Sequence, residues 1–178
     1  MTLIAEFFGG PSTGKSTTTA LTYGLLKQEG FNAEMVHEFA KDLVWEKRNV
    51  ALSNQIYVMG KQIHRFERLM GEVDIIVSDT SILLSSIYGD VSNDFEQGLL
   101  SKWHEWNVLP IFIERTEAHP FRQEGRNHSY EESLEKDKEI QEMLQRHADR
   151  YVSVPMMEGV KTAELAKNII VDNLHSPV

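Results

Sequence analysis

The chain has 178 residues, 41% of them hydrophobic and 25% charged, with a formal net charge of −9 and no cysteine. This size and composition fit a single α/β domain, and the lack of cysteine excludes disulfides, thiolate zinc sites and cysteine nucleophiles. The negative charge argues against long contacts with a nucleic-acid backbone, and no apolar run reaches the roughly 18 to 20 residues of a membrane helix. We therefore expect a cytoplasmic protein that acts on a small substrate, away from membranes.

The first predicted strand, Leu3 to Phe8, runs into Gly9-Gly10-Pro11-Ser12-Thr13-Gly14-Lys15-Ser16, which matches the pattern G-x-x-x-x-G-K-S/T. Between a strand and a helix this pattern forms a loop whose backbone N–H groups face the phosphates of a nucleotide. We predict that it binds ATP, with Lys15 bridging the β- and γ-phosphates and the Ser16 hydroxyl on Mg²⁺. The alternative is an ordinary glycine-rich turn. The predicted ATP-binding residues are Gly9, Pro11, Ser12, Thr13, Gly14, Lys15, Ser16 and Thr17.

A helix from Lys15 to about Glu29 follows the loop, and a second strand from Phe31 to His37 follows that helix. The next segment, from about Val50 to Met70, carries apolar residues at alternating spacings of four and three, which is typical of one helix with one buried face. The residues predicted to form that face are Leu52, Ile56, Met59, Ile63, Phe66 and Met70.

The third predicted strand, Val73 to Asp79, ends on an acidic residue. A Mg²⁺ ion held mainly by phosphates needs only one or two protein oxygens. We therefore predict that Asp79 and Ser16 hold the metal ion together. The alternative is that Asp79 only caps a helix that begins near Ser81.

The fourth predicted strand, Val108 to Glu114, leads into residues 115 to 130, which are rich in Arg, Glu, Gly, His and Asn and contain hardly any apolar residue. Such a segment suits a mobile lid. Arginine forks match phosphate oxygens, so we predict that the lid brings a catalytic arginine to the transferring phosphoryl group. Arg126 is the first candidate, Arg122 the second, and Arg115 is also within the segment.

The last part of the chain predicts a strongly charged helix from Glu131 to Asp149, a fifth strand from Tyr151 to Val154, and a closing helix from Thr162 to about Leu174. The charges of the first of these helices indicate a face in contact with solvent. The loop of residues 155 to 159, between the fifth strand and the closing helix, is where we expect an adenine ring.

Glu38 directly follows the second strand and is the residue that bears most on the phosphoryl acceptor. A hydroxyl acceptor benefits from a carboxylate that takes its proton, whereas an incoming phosphate needs arginines and no base. We therefore predict that Glu38 is a catalytic base. The alternatives are that it caps the helix beginning near Phe39 or pairs with Lys41.

Together, these segments resemble the nicotinamide riboside kinase-like P-loop domains, found as the kinase part of a bifunctional NAD-biosynthesis protein and in stand-alone, often phage-encoded, kinases. Deoxynucleoside kinases look similar in placing a glutamate after the second strand. The resemblance covers about residues 3 to 155. Four segments carry it: Gly9 to Ser16, His37 to Lys47, Ser78-Asp79-Thr80, and Gln123-Glu124-Gly125-Arg126.

The resemblance implies a P-loop NTPase fold, with a parallel five-stranded sheet of order 2-3-1-4-5 flanked by helices. It also implies transfer of the γ-phosphate of ATP to a hydroxyl of a nucleoside-like molecule. Trp45, Tyr57, Gln62 and Arg65 are candidate contacts of a base, although aromatic residues at such positions are often core residues.

Three other functions stay open at this point. A nucleoside monophosphate kinase would grip the acceptor phosphate with arginines, for which Arg48, Arg65 and Arg68 are available. A kinase of modified bases or 5′ ends in DNA would need a basic groove with aromatic platforms, which an acidic chain disfavours. A non-catalytic ATP-binding switch would have no need of Glu38.

Overall fold

A computed structural model describes residues 1–88, 92–117 and 129–174. Five parallel strands form one sheet in the order β2-β3-β1-β4-β5, which confirms the predicted fold and strand order. The strands are β1 (Leu3–Phe8), β2 (Ala33–Val36), β3 (Ile75–Ser78), β4 (Val108–Glu114) and β5 (Val152–Pro155). The helices are α1 (Lys15–Gln28), α2 (Phe39–Trp45), α3 (Asn49–Ser53), α4 (Gln55–Glu67), α5 (Ser85–Tyr88), α6 (Asn93–His104), α7 (Tyr130–His147) and α8 (Lys161–Asn173), with a 3₁₀ turn at Ile82–Leu84.

The sheet is buried on both faces, as a parallel sheet requires. Successive side chains of a strand point to opposite faces, so β1 divides its residues between two apolar clusters. Ile4 and Phe8 pack with α4, α6 and α7, whereas Leu3 and Phe7 pack with α1 and α8. None of the helices within the described residues is long and apolar enough to span a membrane.

This topology brings three loops to one edge of the sheet. β1, β2 and β3 are adjacent and parallel, and Glu6 and Val36 both lie beside Ser78 in the register. The carboxyl ends of these strands therefore face the same side, where open α/β sheets bind ligands. The segments that follow the three strands begin with Gly9, with residue 37 and with Asp79.

The predicted single helix from Val50 to Met70 is wrong. The segment forms α3 and α4, because the Asn54 backbone leaves the helical region and its side chain accepts a hydrogen bond from the Tyr57 N–H at 3.1 Å. The second helix therefore starts anew with a partly different buried face, which keeps Met59 and Phe66 but adds Val58 and Gln62. Ile56, predicted to be buried, is 72% exposed, while Gln62 is 2% exposed.

Glu6 is a fully buried carboxyl group in the middle of β1. Its Oε2 accepts a hydrogen bond from Trp103 Nε1 at 2.9 Å. Burial raises the pKa of Glu6 from 4.5 to about 7, and hydrogen bonds from Trp103 and Ser81 offset part of that rise. Between pH 4.5 and about pH 7, the folded protein therefore binds a proton at Glu6 that the unfolded chain has lost. The free energy of unfolding falls as the pH rises through this window.

We expect Glu6→Gln to stabilise the protein more at pH 8 than at pH 5. Glutamine keeps an oxygen for Trp103 and carries no charge, so it avoids the cost of a buried carboxylate, roughly 3 kcal/mol above pH 7 at about 1.4 kcal/mol per pKa unit. Urea unfolding of both proteins at the two pH values measures the difference. An equal effect of the substitution at pH 5 and pH 8 would show that Glu6 does not titrate in this range.

Candidate active site

The loop between β1 and α1 has two positions that favour glycine. Gly9 has a φ of 148° and Gly14 a φ of 81°, both in the region that side chains rarely adopt. A Cβ on Gly9 would also lie 2.8 Å from Thr13 Oγ1. That hydroxyl donates a hydrogen bond to the Gly10 carbonyl at 3.0 Å and so closes the loop on itself. The Thr13 side chain thus helps to fix the backbone of the loop.

The N-terminus of α1 fits a bound anion. Gly14 is its N-cap and provides no capping side chain, and the first turn holds no acidic residue. The first N–H groups of a helix need partners, and phosphate oxygens can supply them. A groove lined by residues 10 to 17 surrounds this helix end. Within it, Ser16 and Thr17 are exposed, whereas Ser12 and Thr13 are buried.

A cleft of about 620 Å³ adjoins the phosphate-binding groove and shares Gly10, Pro11 and Lys15 with it. Glu38 and Asp79 line the same cleft. Three residues predicted to be catalytic, from three different loops, therefore lie around one space. The other two, Arg122 and Arg126, lie outside the described residues.

The Glu38 side chain does not cap α2. Glu38 is the N-cap residue, but its carboxylate makes no capping hydrogen bond, so that alternative to a catalytic role is not realised. Burial raises its pKa, the Lys15 charge lowers it, and the nearby Asp79 carboxylate raises it again. Lys41 adds a smaller lowering effect by its charge.

Asp79 is 6% exposed, and its Oδ1 has no hydrogen-bond partner in the part of the chain that the structure describes. The cap of the following turn is Ser81, whose side chain accepts from the Leu83 N–H at 3.3 Å. The capping alternative for Asp79 is thus not realised either. A buried oxygen without a partner is unusual, and a hydrated divalent cation would satisfy it.

A metal ion at this place would depend on phosphate oxygens. Among residues 1–88, 92–117 and 129–174, no cluster of three or more His, Asp or Glu side chains is arranged to hold an ion. One buried carboxylate and one exposed hydroxyl, those of Asp79 and Ser16, suit Mg²⁺, which keeps several waters and binds through one or two protein oxygens plus phosphates.

Arg115, the third arginine of the predicted lid segment, is not among the residues that line the cleft. Its guanidinium group bonds to the Asp137 carboxylate, the Ser133 hydroxyl and the Pro11 carbonyl. Asp137 Oδ1 in turn accepts the Gly10 N–H at 2.6 Å. The side chains of Arg115 and Asp137 are only 14% and 13% exposed. This group, which we call the loop brace, ties α7 to the phosphate-binding loop.

Sequence reasoning missed the loop brace because it assigned the charges of α7 to a solvated face. Ser133 and Asp137 are four residues apart and therefore lie on the same side of the helix. That side faces the phosphate-binding loop: a Cβ added to Gly10 would lie 2.7 Å from Asp137 Oδ1 and 2.8 Å from the Ser133 carbonyl oxygen. The spacing of Ser133 and Asp137 was visible in the sequence, but the loop that they contact was not.

We expect Asp137→Ala to lower the free energy of unfolding by about 3 kcal/mol, because it leaves the Arg115 charge buried without its carboxylate. It should also weaken binding of an ATP analogue, because the Gly10 N–H loses its acceptor. Urea unfolding and calorimetric titration measure the two effects. Glu142→Ala is the matched control, since Glu142 pairs with Lys138 on the exposed side of α7. Equal losses in both variants would contradict the brace.

The predicted base contacts are divided between different surfaces. Trp45 lines the cleft while 78% exposed, and Gln62 lines it while buried. Tyr57 and Arg65 lie on another groove, and Arg65 pairs with Asp42. None of the three arginines predicted to grip an acceptor phosphate lines the cleft. Among the described residues that do line it, the cations are Lys15 and Lys41.

The strand order, the phosphate-binding loop after β1 and the carboxylate after β3 define a P-loop NTPase. Residues 6–161 match the family model described as AAA domain, and the chain belongs to that family. Its fold is similar to that of the thymidylate kinase from Ehrlichia chaffeensis, with a TM-score of 0.63 and 14% identity over 98% of this chain and 99% of that one. Comparison with curated proteins gave no match. The narrower resemblance to nicotinamide riboside kinase-like domains is not confirmed by these comparisons.

Proposed function

We propose that the protein is an ATP- and Mg²⁺-dependent kinase that transfers the γ-phosphate to a hydroxyl of a nucleoside-like small molecule, such as nicotinamide riboside or a deoxynucleoside. One observation carries this proposal: Glu38, whose carboxylate makes no helix-capping hydrogen bond, lines the same cleft as Lys15 and Asp79. A carboxylate at that place serves an acceptor that must lose a proton.

Each residue of the site has a role in this proposal. The phosphate-binding loop holds ATP with its backbone, and Lys15 contacts the β- and γ-phosphates. Ser16 and Asp79 would hold Mg²⁺, which would supply positive charge to balance the charge of the phosphate oxygens. Glu38 accepts the proton of the attacking hydroxyl. Arg126 or Arg122 stabilises the charge of the transferring group.

The lining of the cleft favours an acceptor that carries no phosphate group. A phosphate brought in by a monophosphate would lie close to the Glu38 carboxylate, and of the described cleft residues only Lys41 would be left to balance it, since Lys15 serves ATP. Apolar side chains make up much of the remaining lining, which suits a flat ring. These are Ala40, Val44, Trp45, Leu52, Val58, Met59 and Leu84.

A (deoxy)nucleoside monophosphate kinase is the second candidate. It is favoured by the fold, which is similar to that of a thymidylate kinase, and by the presence of Lys41 in the cleft. In such an enzyme Lys41 would bind the acceptor phosphate, and Glu38 would have no proton to take. The two candidates therefore differ in the role of Glu38.

Transfer of label from γ-labelled ATP with Mg²⁺ tests the proposal directly. The acceptors are nicotinamide riboside, ribo- and deoxynucleosides, their 5′-monophosphates, and single-stranded DNA with ordinary and hydroxymethylated bases. We expect label on a nucleoside. Label on a monophosphate would favour the second candidate, and label on DNA would make the acceptor a polymer. No transfer to any of them would favour an ATP-binding switch.

A further inference from the structure

Gln62 is a buried polar side chain on α4 that contacts the backbone on both sides of Glu38. Its Oε1 accepts a hydrogen bond from the Phe39 N–H at 2.8 Å, and its Nε2 donates to the His37 carbonyl at 3.4 Å. The side chain is 2% exposed, and both hydrogen bonds are partly buried. A single amide group therefore fixes the residues before and after the predicted base.

Arg65, one turn further along α4, strengthens the same attachment. Its Nη1 donates to the His37 carbonyl at 3.1 Å, and its other terminal nitrogen pairs with Asp42 on α2. The guanidinium group also lies 5.0 Å from the centre of the Phe39 ring. The turn from β2 to α2 is thus held from α4 at several points, and Glu38 is in the middle of this turn.

The hydrogen bond from the first N–H of α2 to Gln62 bears on where the Glu38 side chain points. The side chain of an N-cap residue can bend back to accept a hydrogen bond from a backbone N–H in the first turn of its own helix. Here Gln62 is the acceptor for the Phe39 N–H, while Glu38 makes no capping bond. Removing Gln62 would leave this partly buried N–H without its acceptor, and the Glu38 carboxylate would be a nearby replacement.

We propose that Gln62 is a positioning residue that fixes the backbone at Glu38, so that the Glu38 carboxylate faces the cleft instead of its own helix. This inference rests on the proposed function, because it takes Glu38 as the base. Gln62 need not touch ATP or the acceptor to act. Displacement of a reacting group by about 1 Å can cost on the order of 100-fold in rate.

The test compares Gln62→Leu, Glu38→Gln and the double variant in phosphoryl transfer with the acceptor that the wild type uses. We expect Gln62→Leu to lower kcat about 10- to 100-fold with little change in the KM of ATP. The double variant should be no slower than Glu38→Gln alone, because a misplaced base and a missing base have the same consequence.

Thr22→Val is the matched control for the loss of a buried hydrogen bond. Thr22 is fully buried on the other side of the sheet and donates to the Ala163 carbonyl at 3.5 Å. Urea unfolding should show a loss of stability in both Thr22→Val and Gln62→Leu, but only Gln62→Leu should lose kcat. If Gln62→Leu does not fold, Gln62→Met replaces it, since methionine has a similar shape and makes neither hydrogen bond.

Two results would overturn the inference while leaving the proposed base in place. One is a Gln62→Leu protein with unchanged kcat or with only a raised KM for the acceptor. The other is a double variant whose kcat falls by the product of the two fold-losses seen in the single variants. Failure of the proposed function itself has a different signature, because Glu38→Gln would then turn over at the wild-type rate whatever residue stands at position 62.

Discussion

Lys15→Met is expected to lower kcat by roughly 100- to 1,000-fold, the usual loss when one preorganised charge at a reacting group is removed. Lys15 is the lysine of the phosphate-binding loop and lines both the loop groove and the adjoining cleft. In the proposed reaction, the γ-phosphate passes this side chain on its way from ATP to the acceptor. Methionine keeps much of the length of the side chain and removes its charge.

Label transfer from ATP measures this loss, and titration with an ATP analogue shows how much of it is lost binding. Lys27→Met is the matched control, because Lys27 is in the last turn of the same helix and its side chain is 45% exposed. We expect the control to keep wild-type turnover. A Lys15→Met protein within tenfold of the wild-type kcat would mean that the loop does not hold the reacting phosphate.

Glu38→Gln should lower kcat by about 100- to 10,000-fold, the range for removal of a general base, while ATP affinity stays the same. The pH dependence provides a second signature. Burial raises the pKa of the Glu38 carboxyl above 4.5, and a base must be deprotonated to act. Activity of the wild type should therefore fall as the pH drops through that raised pKa, and this acid limb should be missing from Glu38→Gln.

Glu46→Gln is the control for the loss of a carboxylate from the same part of the chain. Glu46 is the C-cap residue of α2, and its 55% exposed side chain pairs with Arg48 at 3.4 Å. An exposed pair of this kind contributes at most about 1 kcal/mol, so we expect normal turnover and an unchanged pH profile. A wild-type rate in Glu38→Gln would remove this residue from the mechanism and favour a phosphate acceptor.

The sequence was sufficient to predict the strands and the phosphate-binding loop because their signals are local, whereas the strand order was implied by the family resemblance. The spacing of Gly9, Gly14 and Lys15 specifies a backbone path, and the apolar runs on either side specify buried parallel strands. Once the strand order is known, Glu38 and Asp79 must lie at the same edge. Their meeting in one cleft follows from topology and needs no side-chain detail.

The helix break at Asn54 and the buried Gln62 could not be predicted in this way. An apolar repeat is the same whether the helix runs through or restarts, so the pattern favoured one helix and buried Ile56. A glutamine interrupts the apolar repeat, and it can be buried on the apolar face only if its polar atoms find hydrogen-bond partners. Those partners are backbone groups of residues 37 and 39, more than twenty positions away in the sequence.

The loop brace was hidden for a related reason. Arg115 and Asp137 are 22 residues apart and join only because α7 packs against the phosphate-binding loop. In the sequence each is one charge among many, and most such charges are solvated. Long-range polar contacts of this kind depend on the packing of whole elements, which propensity and spacing do not encode.

The most direct test of the account is a crystal structure of the protein with Mg²⁺, a non-hydrolysable ATP analogue and the nucleoside that accepts label. The account predicts the acceptor hydroxyl within about 2.6 to 3.2 Å of the Glu38 carboxylate, with the Lys15 amino group on the terminal phosphate. The account would be contradicted by an acceptor whose hydroxyl points away from Glu38. It would also be contradicted by an acceptor whose phosphate is bound by Lys41.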